Sequence, residues 1–196
     1  MFGVIEEKKI SCVAEEKGKT MDKNEEAKLI NRAFETGFNY EKTYRGCAQC
    51  TLATFFDISG HTDPALFKAA SGLSAGIGIN GDGSCGGYTG GVLFMSSLVG
   101  RRLDRIPIDR DRAAQLKSYE MAQKLHDKFI ETYGSVTCAD IHKRIFGKSY
   151  CLREPGVLEA FEEAGAHVDK CTTVVGNACS WVAKILIDEG LLNIEE

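Results

Sequence analysis

Four cysteines in this chain stand at the places where helices begin. Ser84 precedes Cys85, Thr137 precedes Cys138, Gly46 precedes Cys47, and Asp169 lies two residues before Cys171. Ser, Thr, Asp and Gly are the residues that cap helix N-termini. Thr137 also has Asp140 three residues on, which is capping-box spacing. A helix N-terminus carries roughly half a positive charge and unpaired amide donors, and both favour a thiolate. Thiolate is the form that binds metal and attacks disulfides. The four positions are far apart in sequence. A fold that uses them together must therefore gather four helix starts at one place.

The rest of the chain reads as helices. Asp22 and Glu25 resemble a capping pair, and Ala27, Leu29, Ile30, Ala33 and Phe34 recur at helical spacing until Gly37, which is expected to end that helix. A second helix runs from Cys47 through Leu52, Phe55 and Phe56, and a third starts at Asp63-Pro64. A glycine-rich stretch, Gly72 to Gly91, leads into a fourth helix that ends near Gly100. After Pro107 a long amphipathic helix covers about Asp109 to Tyr133, with Ala113, Leu116, Tyr119, Leu125 and Phe129 as core candidates. Short helices follow near Cys138–Phe146 and Pro155–Ala164, and a last one from about Lys170 to Glu189 carries Trp181. No convincing period-2 run and no internal repeat is present. The expectation is an all-α, single-domain bundle of six to eight helices over residues 21–196, preceded by a loose arm over 1–20.

Charge and composition narrow the function classes. The net charge of -4 leaves no basic field to hold nucleic acid. The arginines from Arg101 to Arg112 are interleaved with Asp104, Asp109 and Asp111, which predicts a self-paired, solvated loop. The longest apolar run, Val92 to Val99, is too short for a membrane span of about 20 residues. Met1 to Ile10 has no signal-peptide pattern. These features predict a cytoplasmic protein, where thiols stay reduced. Eight cysteines in such a chain then mean metal or redox chemistry rather than structural disulfides.

Other candidates cluster near the four. Cys50 completes a C-x-x-C with Cys47, a dithiol pair or half of a metal site. Cys179 follows Cys171 by two helical turns, while Cys151 and Cys12 read as bystanders. His142 and His167 lie four residues from Cys138 and Cys171 respectively, within reach of a mixed Cys/His ligand set. Gly76 to Gly81 formally matches a dinucleotide fingerprint but lacks the strand that motif requires, so no nucleotide is expected. Gly86/Gly90 and Gly87/Gly91 are i,i+4 pairs, a pattern that admits another backbone or a cofactor at close range. Gly86 and Gly87 are thus candidate cofactor contacts. No C-x-x-C-H is present for covalent haem.

Gly46-Cys47-Ala48-Gln49, Gly76-Ile77-Gly78, Cys85-Gly86-Gly87-Tyr88-Thr89-Gly90-Gly91, Tyr133-Gly134-Ser135-Val136-Thr137-Cys138 and Cys171 together resemble the C_GCAxxG_C_C family of redox-active proteins. The resemblance covers roughly residues 28–187. It places the family's four signature cysteines on Cys47, Cys85, Cys138 and Cys171, and Gly87 where the family usually has alanine. The family is typical of anaerobic bacteria. A similar domain occurs in split-Soret cytochromes, where it goes with a non-haem iron–sulfur centre. The resemblance implies redox work and names no substrate.

The leading expectation is electron transfer through an iron–sulfur cluster on Cys47, Cys85, Cys138 and Cys171, with an unidentified redox partner protein. A thiol–disulfide oxidoreductase using Cys47 with Cys50 or Cys85 is the first alternative. A zinc-stabilised protein-interaction module is the second. The glycine pairs also suggest a homodimer packed through the Cys85 helix.

Overall fold

The structure, a computed structural model, describes residues 22–192. Nine α-helices occupy them: α1 (Lys23–Tyr44), α2 (Cys47–Ser59), α3 (Pro64–Ala69), α4 (Gly86–Val99), α5 (Ile106–Asp109), α6 (Arg112–Tyr133), α7 (Cys138–Phe146), α8 (Val157–Glu163) and α9 (Cys171–Asp188). The fold is all-α, with one helix more than the upper expectation. The addition is the four-residue α5, which shortens the long helix that was expected to begin at Asp109. The expected arm over 1–20, with Cys12, lies outside the described residues. Among those residues the only extended pairing is one antiparallel bridge, Ser84 to Thr137.

Local signals explain most helix starts. The Asp22 carboxylate accepts from the Asn24 and Glu25 amides, and Glu25 returns a bond to the Asp22 amide, closing a capping box. Asp63 accepts from Ala65 and Leu66 ahead of Pro64. Thr137 is the N-cap of α7, but its side chain makes no capping bond. Instead Ser135 donates to Asp140 and accepts from the Thr137 amide. Asp169 is not the cap of α9. A π-helical turn, Ala166–Lys170, runs directly into it and makes Lys170 the N-cap.

Gly37 does not end α1, which continues to Tyr44. A glycine inside a helix costs up to about 1 kcal/mol relative to alanine. Here it makes room, because a β-carbon at Gly37 would lie 2.5 Å from the sulfur of Cys179. Gly176 on α9 returns the favour to α1, since a β-carbon there would lie 2.8 Å from the ring of Phe34. α9 is the central rod: Val174, Val175, Ala178, Val182, Ala183 and Leu186 are buried along it. α1, α2, α4 and α6 pack around it.

Phe55 and Phe94 stack at 4.9 Å between α2 and α4, and Phe129 meets Trp181 edge-on at 5.2 Å between α6 and α9. Phe55, Phe94 and Phe129 are fully buried, and each contributes roughly 1.5–3 kcal/mol. On α6 the buried residues are Met121, Leu125 and Phe129. Ala113, Leu116 and Tyr119 were expected in the core and are exposed, because α6 packs through the face of Met121, Leu125 and Phe129, with Ser118 against Ser96 of α4. The arginine-rich stretch pairs with itself, as Arg102 binds Asp104 at 2.8 Å and Arg105 binds Asp109.

The glycine pairs of α4 are used inside the chain. A β-carbon at Gly90 would lie 2.5 Å from the Ala48 carbonyl oxygen on α2. One at Gly91 would lie 2.7 Å from Val182 on α9. The two faces let α4 press against both neighbours, so they no longer give a reason for a homodimer. No helix among the described residues is long and apolar enough to cross a membrane.

Candidate redox centre

The starts of α2, α4, α7 and α9 meet around one cavity of about 290 Å³. Cys47, Cys138 and Cys171 are the first residues of their helices, and Cys85 is the N-cap of α4, one position earlier than its Ser84 neighbour suggested. All four line the cavity. Ile141, Leu152, Phe161, Val174 and Val175 complete a largely apolar wall.

Backbone pairing holds the ends together. The Cys85 amide donates to the Val136 carbonyl at 2.8 Å, and the Cys138 amide donates to the Gly83 carbonyl at 2.9 Å. The bridge therefore joins the approaches to α4 and α7 immediately before their cysteines. Gly86 and Cys47 lock α4 to α2, since a β-carbon at Gly86 would lie 2.2 Å from the Cys47 sulfur. Gly86 thus makes room for a cysteine of the site. Gly87 faces elsewhere, with Ala178 of α9 at 3.2 Å from its notional β-carbon.

The segment matching the dinucleotide fingerprint takes a different form. Ala75, Gly76, Ile77, Gly78 and Ile79 all have φ between 51° and 72°, a left-handed turn tied by the bond from the Gly81 amide to the Ala75 carbonyl at 3.0 Å. Three of them are not glycine, and each costs roughly 1–2 kcal/mol there. Such strain concentrates at functional sites. The turn aims the Ala75 amide at the Cys47 sulfur, 3.4 Å away.

Electrostatics reverse one expectation. Helix N-termini were expected to lower these thiols. Burial instead raises all four. Cys85 is pushed up to about 12 by burial and then by the Cys138 charge, against the pull of the Gly87 and Tyr88 amides. Cys138 also rises to about 12, by burial and then Cys47. Cys47 is raised by burial, then by Glu41 and Cys85, and Cys171 by burial, then by Cys85, Cys47 and Cys138. Half a helix charge cannot offset four thiolates sharing one apolar cavity. Without a bound cation the four sulfurs are thiols.

Two histidines and a glutamate join them. His142 is buried, which lowers it to about 4, and its Nε2 lies 3.4 Å from the Cys138 sulfur and 3.9 Å from that of Cys171. His167 lines the cavity with Nδ1 2.9 Å from Glu162 and Nε2 3.6 Å from Glu41. Burial opposes its protonation, but the two carboxylates outweigh burial and raise it. Glu41 is 3% exposed, and its Oε2 has no partner. The sequence carried a signal for Glu41. It continues the buried stripe of Leu29, Ala33 and Gly37 at four-residue spacing, where a charge has no packing reason to stand.

The remaining cysteines stand apart. Cys50 is buried, its thiol donates to the Arg45 carbonyl at 3.1 Å, and it lines a separate groove with Tyr40, Tyr44, Phe56 and Phe67. Cys179 packs inside the core against Gly37 and Thr54. Cys151 is half-buried and lines neither space. Among the described residues no group of three His, Cys, Asp or Glu side chains is set closely enough to hold a single metal ion.

Four thiols from four helix starts around one apolar cavity define a helical cysteine-cavity protein. The family model described as "Putative redox-active protein (C_GCAxxG_C_C)" matches residues 46–185. The chain belongs to that family. Comparison with curated proteins and with solved structures gave no match.

Proposed function

We propose that Cys47, Cys85, Cys138 and Cys171 hold one iron–sulfur cluster and that the protein passes single electrons to and from a redox partner protein. The observation that carries this reading is the convergence of the four thiols on a single cavity. Three further features support it. The donors are all soft sulfur, which suits iron–sulfur ligation. Among the described residues no three of them are set to hold a single ion, and a multinuclear cluster holds its cysteine sulfurs further apart. Burial holds them as thiols in the metal-free chain, and a coordinating metal would deprotonate a thiol outright.

An iron–sulfur cluster supplies a one-electron couple. The chain would do the rest. The Ala75, Gly87 and Tyr88 amides offset negative charge at the sulfurs of Cys47 and Cys85. Ile141, Val174 and Phe161 exclude water from them.

A second reading has one observation in its favour. Cys47 and Cys85 line the same cavity, so a disulfide between them could cycle without metal. The Cys47/Cys50 version loses support, because the two residues line different spaces. Purification without oxygen, followed by iron and acid-labile sulfide analysis with a visible spectrum, separates the readings. Brown protein with stoichiometric iron and sulfide supports the cluster. Colourless protein, with zinc or with none, overturns it.

A further inference from the structure

We propose that His142 donates its Nε2–H to the sulfurs of Cys138 and Cys171, and so raises the reduction potential of the centre they help to hold. The inference rests on the cluster reading above and deepens it by assigning a residue that sets the potential.

His142 lies one helical turn after Cys138 on α7, so its ring reaches back over the helix start. Nε2 lies 3.4 Å from one sulfur and 3.9 Å from the other, within reach of both. Phe146 packs edge-on at 5.4 Å and Tyr150 at 6.1 Å, and Phe161 lies tilted at 5.1 Å, which together fix the ring plane. Nδ1 is buried in this cage and has no hydrogen-bond partner.

That orphan nitrogen selects the tautomer. Neutral imidazole carries one N–H and one bare lone pair. A hydrogen on Nδ1 would be a buried donor without an acceptor, at a cost of about 1–3 kcal/mol. It would also leave the Nε2 lone pair facing the lone pairs of ligated sulfur. A hydrogen on Nε2 meets two acceptors and leaves only a bare acceptor at Nδ1. The ring therefore fits sulfurs that have lost their protons. Hydrogen bonds to cysteine sulfur withdraw electron density and favour the more negative, reduced state.

The test uses the full chain loaded with iron and sulfide, reduced with dithionite, as wild type, His142→Phe and His142→Gln. Phenylalanine fits the aromatic cage and removes the N–H, and glutamine restores a donor. We expect equal iron content in all three. His142→Phe should shift the reduced-to-oxidised ratio at fixed potential at least tenfold toward oxidised, about 59 mV for a one-electron couple. His142→Gln should recover most of the shift. Equal potentials in all three overturn the proposal. In wild type labelled with ¹⁵N-histidine, a weak nitrogen coupling to the reduced cluster, lost in His142→Gln, supports the hydrogen bond even if His142→Phe fails to fold. A coupling of direct-ligand size, or none, overturns it. Wild type that takes up no iron overturns the cluster reading, and this inference falls with it.

Discussion

The sulfur of Cys47 occupies the place where a side chain on Gly86 would begin, with 2.2 Å between that sulfur and a notional β-carbon. Two helices that each bring a cysteine to the cavity are thereby fixed against one another. The neighbouring glycine is different, since the nearest atom to its notional β-carbon is the Ala178 methyl at 3.2 Å, with Val174 and Val175 backbone atoms at 3.7 Å.

These distances predict unequal costs for the same chemical change. Gly86→Ala should destabilise by about 1–3 kcal/mol or more through overpacking, and should displace Cys47 from the site. Gly87→Ala should stay within about 1 kcal/mol of wild type, because the gain in helix propensity offsets a small shift of α9. Thermal denaturation of the two variants checks the order. Equal losses would contradict the packing account.

The raised thiols predict a pH limit for the metal-free protein. Cys85 and Cys138 stand at about 12 in the fold, against about 8.5 in an unfolded chain. The folded state therefore holds these protons more tightly. Its stability is fully present below about pH 8.5 and is lost as pH rises towards 12. Urea denaturation of the reduced, metal-free chain from pH 7 upward should show a midpoint that falls above about pH 8.5, with negligible alkylation of the four thiols at pH 7. Rapid alkylation at pH 7 would mean that the helix termini outweigh burial.

Gly37 and Cys179 predict a coupled pair. Gly37→Ala alone should cost about 1–3 kcal/mol, because its β-carbon would stand 2.5 Å from the Cys179 sulfur. Removing that sulfur with Cys179→Ala should make the first change tolerable. A double-mutant cycle by denaturation should give a coupling of roughly 1 kcal/mol or more. Simple additivity would show that the two side chains do not compete for space.

Much of this architecture is legible in the residues. The Asp22/Glu25 box, the Asp63-Pro64 start and the short α7 are local signals, and local signals survive into the fold. Cys47 and Cys138 were placed on the correct helix position, whereas Cys85 stands one position earlier and Cys171 starts its helix behind Lys170 rather than Asp169. What failed depended on partners far away in sequence. Gly37 reads as a helix end until Cys179 is known to lie against it. Ala113, Leu116 and Tyr119 fit an apolar period of α6, but the helix packs through the face of Met121, Leu125 and Phe129 instead.

The site divides along the same line. Four helix starts can be read from sequence, and their meeting in one cavity depends on the Ser84–Thr137 bridge, the Gly86 contact and the left-handed turn at Ala75. The direction of the thiol shift was misjudged because the helix charge is local and legible, whereas burial is a property of the assembled fold. Glu41 was hidden by the expectation that α1 stops before reaching it.

The most direct test compares two serine variants purified without oxygen, Cys138→Ser and Cys50→Ser. Cys138 lines the cavity, and Cys50 bonds to the Arg45 carbonyl beside a different groove. Removing one of four ligands undoes a site whose binding is coupled to folding. The account predicts that Cys138→Ser loses the iron, while Cys50→Ser keeps both iron and redox response. Iron and redox response that survive Cys138→Ser but collapse in Cys50→Ser would contradict it and return the function to the C-x-x-C pair.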